Sequence, residues 1–86
     1  MSYTILLDRK IRKFIEDVEE KEKKRLKLKL QSLSENPSPP EVKKMRGAYR
    51  NLFRVRVGDF RILYFIDNDV QEIIVVKIDK RSKVYR

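Results

Sequence analysis

Apolar residues change their spacing part-way along the chain, from the three-and-four rhythm of a helix to the two-residue alternation of a strand. Tyr3 to Leu7 make a short apolar run of strand length, and Asp8 follows as a plausible helix N-cap. Ile11, Phe14, Ile15 and Val18 then recur at i, i+3, i+4 and i+7, with Arg, Lys, Glu and Asp between them. That spacing gathers the apolar side chains on one face of a helix, where they read as core contacts. From Glu19 to Glu35 the residues are charged and helix-favouring, with Leu26, Leu30 and Leu33 on one stripe and Leu28 off it. A second helix, antiparallel to the first, is predicted. The alternation in RLKLKL also fits a strand, but its flanks of Glu, Lys and Gln and the length of the segment favour helix.

Asn36-Pro37 ends this pattern. The segment Asn36 to Pro40 carries prolines that remove backbone donors and push the preceding residues out of the helical region, so it reads as a restricted loop. Beyond it, Leu52 to Val57, Phe60 to Ile66 and Glu72 to Asp79 alternate with period two. Turns fall at Gly58-Asp59 and around Asp67-Asn68-Asp69, where ordinary turn chemistry is the expected role of the three aspartates rather than metal binding. A strand, two helices and then a run of strands imply an α+β fold. An N-terminal strand would precede two antiparallel helices packed on one face of a mostly antiparallel sheet, leaving the other face available.

The central hairpin supplies candidate chemistry. A two-residue turn at Gly58-Asp59 sets Val57 opposite Phe60, Arg56 opposite Arg61, Val55 opposite Ile62 and Arg54 opposite Leu63. Phe53, Val55 and Val57 then meet Tyr64, Ile62 and Phe60 on the side that the helices cover. Arg54, Arg56 and Arg61 share the other side. Two arginines directly opposite one another repel, at a cost of a few tenths to about 1 kcal/mol, so an anion should offset them. Guanidinium forks match phosphate bidentately, which makes the trio a candidate phosphodiester site; a solvated basic sheet face fits the same pattern. Near the C-terminus Lys80, Arg81, Lys83 and Arg86 form a second basic cluster with Tyr85 among them. An aromatic between cations can stack on a base, and neighbouring cations pull a phenol below its usual pKa of about 10, so Tyr85 is a candidate proton-transfer group.

Composition narrows the choice. The 86 residues carry 22 Lys+Arg against 13 Asp+Glu, a formal net charge of +9 and a pI near 10.0, which predicts a polyanionic partner. Nucleic acid, an acidic membrane surface and an acidic protein all satisfy that charge. Cysteine and histidine are absent, which excludes disulfides, thiolate metal sites and most familiar nucleophile or acid–base pairs. The length suits one domain spanning 1–86. No signal peptide or apolar window long enough for a membrane span is evident, so a cytoplasmic protein is expected.

KKMRG at Lys43 to Gly47, RVRVGDFRILYFI at Arg54 to Ile66 and DKRSKVYR at Asp79 to Arg86 resemble the RelE/ParE superfamily of toxins, and its RelE branch in particular. The resemblance covers almost the whole chain. It implies the RelE-like α+β fold and a type II toxin–antitoxin toxin that cleaves mRNA in the ribosomal A site without metal or cofactor. Carried over by motif, Arg54, Arg56 and Arg61 match the family's strand cations, Arg81 its C-terminal cation and Tyr85 its tyrosine. The first two cations are often lysine in the family; arginine keeps the charge and removes a proton-transfer option. Lys80 is a second candidate for the C-terminal cation, and Lys80, Lys83 and Arg86 are candidate RNA contacts.

The resemblance also implies partners: a RelB-like antitoxin, acidic and helical where it wraps a basic surface, together with the ribosome and mRNA. Leu28 is a candidate antitoxin contact or a residue at the core boundary. DNA would be met only through the antitoxin, and no membrane is involved. Two other readings remain open, a ParE-like inhibitor of DNA gyrase with no nuclease activity and an RNA-binding module without chemistry.

Overall fold

The computed structural model describes residues 2–45 and 52–80. Its elements run β1 (Thr4–Leu6), α1 (Arg9–Asp17), α2 (Glu20–Glu35), β2 (Lys43–Lys44), β3 (Leu52–Val57), β4 (Phe60–Asp67) and β5 (Glu72–Lys80). The strands form one sheet in the order β1-β5-β4-β3-β2. All neighbours pair antiparallel except β1, an edge strand that runs parallel to β5. This is the expected α+β arrangement of two helices on a mostly antiparallel sheet. The two-residue strand β2 is an addition, because two lysines carry no apolar alternation from which to read it.

Local chemistry sets the helix ends. Asp8 is extended and its Oδ1 accepts from the Ile11 backbone N–H at 2.8 Å, so it caps α1 as its position suggested. Val18 and Glu19 separate the helices, and Asn36 ends α2 in an extended conformation before the prolines. Ile11 and Ile15 of α1 and Leu26, Leu30 and Leu33 of α2 are buried against the sheet. Leu28 is 64% exposed, which removes its reading as a boundary core residue.

The register of β3 with β4 is the one the turn requires, including Arg56 opposite Arg61. Gly58 sits at φ +60 and Asp59 at negative φ, the type II′ geometry whose twist suits a two-residue hairpin. Val55, Val57, Phe60, Ile62 and Tyr64 are buried on the helix side, joined by Ile73, Val75 and Ile78 of β5. The Tyr64 ring stacks on Phe53 across the strands, and its hydroxyl donates to the Pro37 carbonyl at 2.7 Å. That bond ties the proline loop to the sheet. The other turn follows ordinary aspartate chemistry: Asp67 accepts from the backbone of Asp69 at 3.0 Å.

One irregularity redirects β5. Leu63 pairs with Lys77 but Tyr64 pairs with Val75, leaving Val76 as the extra residue of a β-bulge. A strict alternation through Ile73 and Val75 would send Lys77 and Asp79 towards the helices. The bulge reverses the phase, so Ile78 enters the core and Asp79 lies opposite Arg61 on the far face.

Two consequences are measurable. Burial, with a smaller contribution from the Glu41 charge, raises the pKa of Tyr64. Below the unfolded value of about 10 both states hold the proton and the stabilisation is complete. Above it the unfolded chain ionises first, so stability falls as pH rises. Thermal unfolding followed between about pH 8 and 11 should show that loss, and Tyr64→Phe should remove it while costing about 1 kcal/mol, or several degrees, at neutral pH. Gly58→Ala should cost about 1 kcal/mol or more in the same assay, because the positive φ strains any L side chain even though the nearest obstacle, Arg25 Nη1 at 3.1 Å, is mobile.

Candidate phosphate-binding cleft

Because the apolar side chains of β3 and β4 are taken up beneath the helices, their alternate positions face away from them. On that face Arg54 and Arg56 of β3 and Arg61 of β4 line a cleft of about 510 Å³ together with Lys43 of β2 and Glu41 just before it. The three predicted arginines therefore converge. Lys43 joins them because it pairs directly with Arg54 at the sheet edge. Across the strands the outward rows read Asp79–Arg61–Arg56 and Lys77–Leu63–Arg54–Lys43. A third outward row, Leu6–Ile74–Phe65–Leu52, is apolar and borders the cations.

The arginines are not alike. Arg61 is half-buried and bound side-on by Asp79, with Nε donating to Oδ1 at 3.2 Å and Nη2 to Oδ2 at 3.1 Å. Asp79 is thus an internal anion that offsets part of the repulsion between Arg56 and Arg61. Lys77 lies 3.9 Å from the same carboxylate. Arg56 is exposed and Arg54 half-buried, and neither pairs with a carboxylate among the described residues. Glu41 is turned to Lys29, whose Nζ donates to it at 3.0 Å. That bond, helped by Glu41's own backbone N–H, holds its carboxyl below the usual range.

The C-terminal candidates divide. Arg81, Lys83, Tyr85 and Arg86 lie outside the described residues. Lys80 is at the end of β5, exposed, with Nζ 5.8 Å from the centroid of the Phe60 ring. Phe60 belongs to the helix-side core, so Lys80 is not brought to the cleft. Sequence reasoning missed Lys43, Glu41 and Asp79. The two lysines before Met45 were visible as a motif, but their side of the sheet depends on β2 forming. The outward direction of Asp79 depends on the bulge.

Chemically, four cations around one concave surface suit a phosphodiester, with guanidinium forks supplying directed donors and the lysine a mobile charge. Among the described residues no cluster of acidic groups is arranged to hold a metal ion, and no helix is long and apolar enough to cross a membrane.

Known proteins are similar in sequence and share this architecture. A candidate toxin RelE1 of Methanocaldococcus jannaschii is 29% identical over 89 residues, covering 100% of this chain and 98% of its own. The RelE–RelB complex of Pyrococcus horikoshii OT3 aligns with a TM-score of 0.83 at 24% identity, covering 96% of this chain and 99% of the matched one. The RelB–RelE complex of Methanococcus jannaschii gives 0.69 at 26% identity, covering 95% and 94%. Residues 7–85 match the family described as the ParE toxin of type II toxin–antitoxin system, parDE. With that match spanning nearly all of the sequence, and RelE structures sharing the fold, the chain belongs to the RelE/ParE superfamily of type II toxin–antitoxin toxins and is RelE-like in architecture.

Proposed function

We propose that this toxin is a ribosome-dependent, metal-independent mRNA endonuclease. The observation that carries the reading is the convergence of Arg54, Arg56, Arg61 and Lys43 in one cleft on the sheet face opposite the helices. The ribose 2′-hydroxyl of A-site mRNA attacks the adjacent phosphorus. Its oxygen forms the new P–O bond, the bond to the 5′ oxygen breaks, and the products are a 2′,3′-cyclic phosphate and a free 5′-hydroxyl. Tyr85 accepts the 2′-hydroxyl proton or stacks on the neighbouring base. Arg56 and Arg61 neutralise charge on the pentavalent phosphorane, Arg54 and Lys43 hold the flanking backbone, and Arg81 stabilises the leaving oxygen. Arginine stays protonated, so Arg81 acts through its charge rather than by giving up a proton.

A site without histidine has weak proton donors and must gain more from positioning, which a codon held in the ribosome provides. Its cytoplasmic target suits a basic chain whose lysine-rich helices can meet rRNA. A cognate RelB-like antitoxin is the regulating partner by analogy with the RelE–RelB complexes, and exposed Leu28 on α2 is one contact it would cover. Lys83 and Arg86 add backbone contacts, Lys80 is positioned to contribute only from the helix side, and DNA is met through the antitoxin. The ParE description of the matching family favours a second reading, a gyrase inhibitor that leaves RNA intact.

Primer extension on a defined mRNA, with and without programmed ribosomes, separates them. Codon-phased cuts that need ribosomes are expected, with Arg61→Ala lowering the rate by about 10²- to 10³-fold and Tyr85→Phe reducing it as well. Retention of full cleavage in both variants would move the chemistry elsewhere, and intact RNA would turn the assignment to the gyrase reading. Arg56→Ala should separate function from folding: cleavage falls, while removal of one like charge opposite Arg61 stabilises the fold by a few tenths of a kcal/mol in thermal unfolding.

A further inference from the structure

A guanidinium presents five N–H donors around a planar fork. Asp79 takes one from Nε and one from Nη2 of Arg61, and the Nη1 side remains. Arg61 lines the cleft with Arg54, Arg56 and Lys43, all on its β3 side, whereas Asp79 reaches it from β5 on the other side, so the carboxylate flanks the guanidinium rather than standing between it and the other cations. We propose that Asp79 is a positioning residue: it grips one edge of Arg61 so that the other edge is presented to a phosphodiester in the cleft. This rests on the reading of the cleft as a phosphate site.

Three observations converge on it. Arg56 lies directly opposite Arg61, and two long cationic side chains in that relation swing apart unless one is held. Asp79 holds it from the flanking strand, on the side away from Arg56, with the bidentate geometry that orients a guanidinium as well as attracting it. The carboxylate's hydrogen bonds both come from Arg61, while exposed Lys77 stays at 3.9 Å, beyond hydrogen-bond distance. The Val76 bulge is the local feature that makes this possible, since it brings Asp79 to the arginine face at the same step that returns Ile78 to the core. Bulges commonly re-aim a side chain in this way beside functional sites.

Holding an arginine with a carboxylate has a cost in binding, because the negative charge opposes RNA. The proposal therefore makes kcat and KM move differently. In ribosome-dependent cleavage, Asp79→Asn should lower kcat by about tenfold or more, as misplacement of a stabilising group does, while KM stays level or falls. A purely structural role would instead reduce the folded fraction, seen as a lower Tm with kcat per folded molecule unchanged. In an Arg61→Ala background Asp79→Asn should have no further effect on kcat, whereas with Arg61 present Asp79→Glu should retain part of the activity that Asp79→Asn loses.

A second readout needs no cleavage. The Nε–H proton of Arg61, followed by NMR, should exchange slowly in the wild type and fast in Asp79→Asn. An all-2′-O-methyl RNA oligonucleotide, which cannot be cut, should perturb the Arg61 side-chain signals in the wild type. Equal Nε exchange in the two proteins, an unchanged kcat, or additive effects with Arg61→Ala would each overturn the proposal. A wild type that binds the oligonucleotide through Arg61 yet cuts nothing removes the nuclease reading and leaves the positioning role standing. One that neither binds the oligonucleotide nor cuts ribosome-bound mRNA removes both.

Discussion

The face of the β3–β4 hairpin that the helices must bury governs the rest of the molecule. Phe60, Ile62 and Tyr64 alternate along β4, and all three lie beneath α1 and α2, so Arg61 has no choice but to point to the opposite side. The same parity on β3 commits Arg54 and Arg56 once Val55 and Val57 are buried. Apolar burial, worth about 1.5 to 3 kcal/mol for each large side chain, outweighs the repulsion it imposes between two facing arginines. A basic cleft is thus a by-product of a stable core, and stability can be maintained without any anion in it.

The electrostatics of that cleft are only partly balanced from within. Asp79 meets Arg61, while Arg54, Arg56 and Lys43 have no carboxylate partner among the described residues, and Glu41 is engaged by Lys29. An unbalanced group of directed donors on a concave surface is suited to a phosphate backbone, whose charge it would neutralise with release of counterions. The apolar row Leu6–Ile74–Phe65–Leu52 alongside it gives the same face a different character over a short distance. Charge and apolar area are therefore separated on the sheet, and each can engage a different part of a partner.

The helical layer makes the opposite use of charge. Its lysines and carboxylates form exposed pairs such as Lys13–Asp17 at 3.2 Å, which are individually worth little, so the layer is held by Leu26, Leu30 and Leu33 together with Ile11 and Ile15. Tyr64 adds a polar tie from the core to the proline loop. That loop leads into Glu41 and β2, so this bond anchors the approach to the cleft edge, in addition to the packing of Val42 on the core and the pairing of β2 with β3.

Local pattern was sufficient for much of this. The spacing of Ile11, Phe14, Ile15 and Val18, the Asp8 cap and the leucine stripe of α2 are properties of neighbours within two turns, and the Gly58-Asp59 turn sets the β3–β4 register because its length admits one pairing. The sequence by itself therefore determined the α+β order, the buried face of the hairpin and the convergence of Arg54, Arg56 and Arg61. Only tertiary structure decided that Lys43 joins them, since a two-lysine strand has no alternation and forms by pairing with β3. It also decided the direction of Asp79, because a bulge at Val76 depends on how β5 fits β4 while keeping Ile73, Val75 and Ile78 in one core. Such phase shifts are set by packing between segments distant in the chain, and a pattern read along one strand does not contain them.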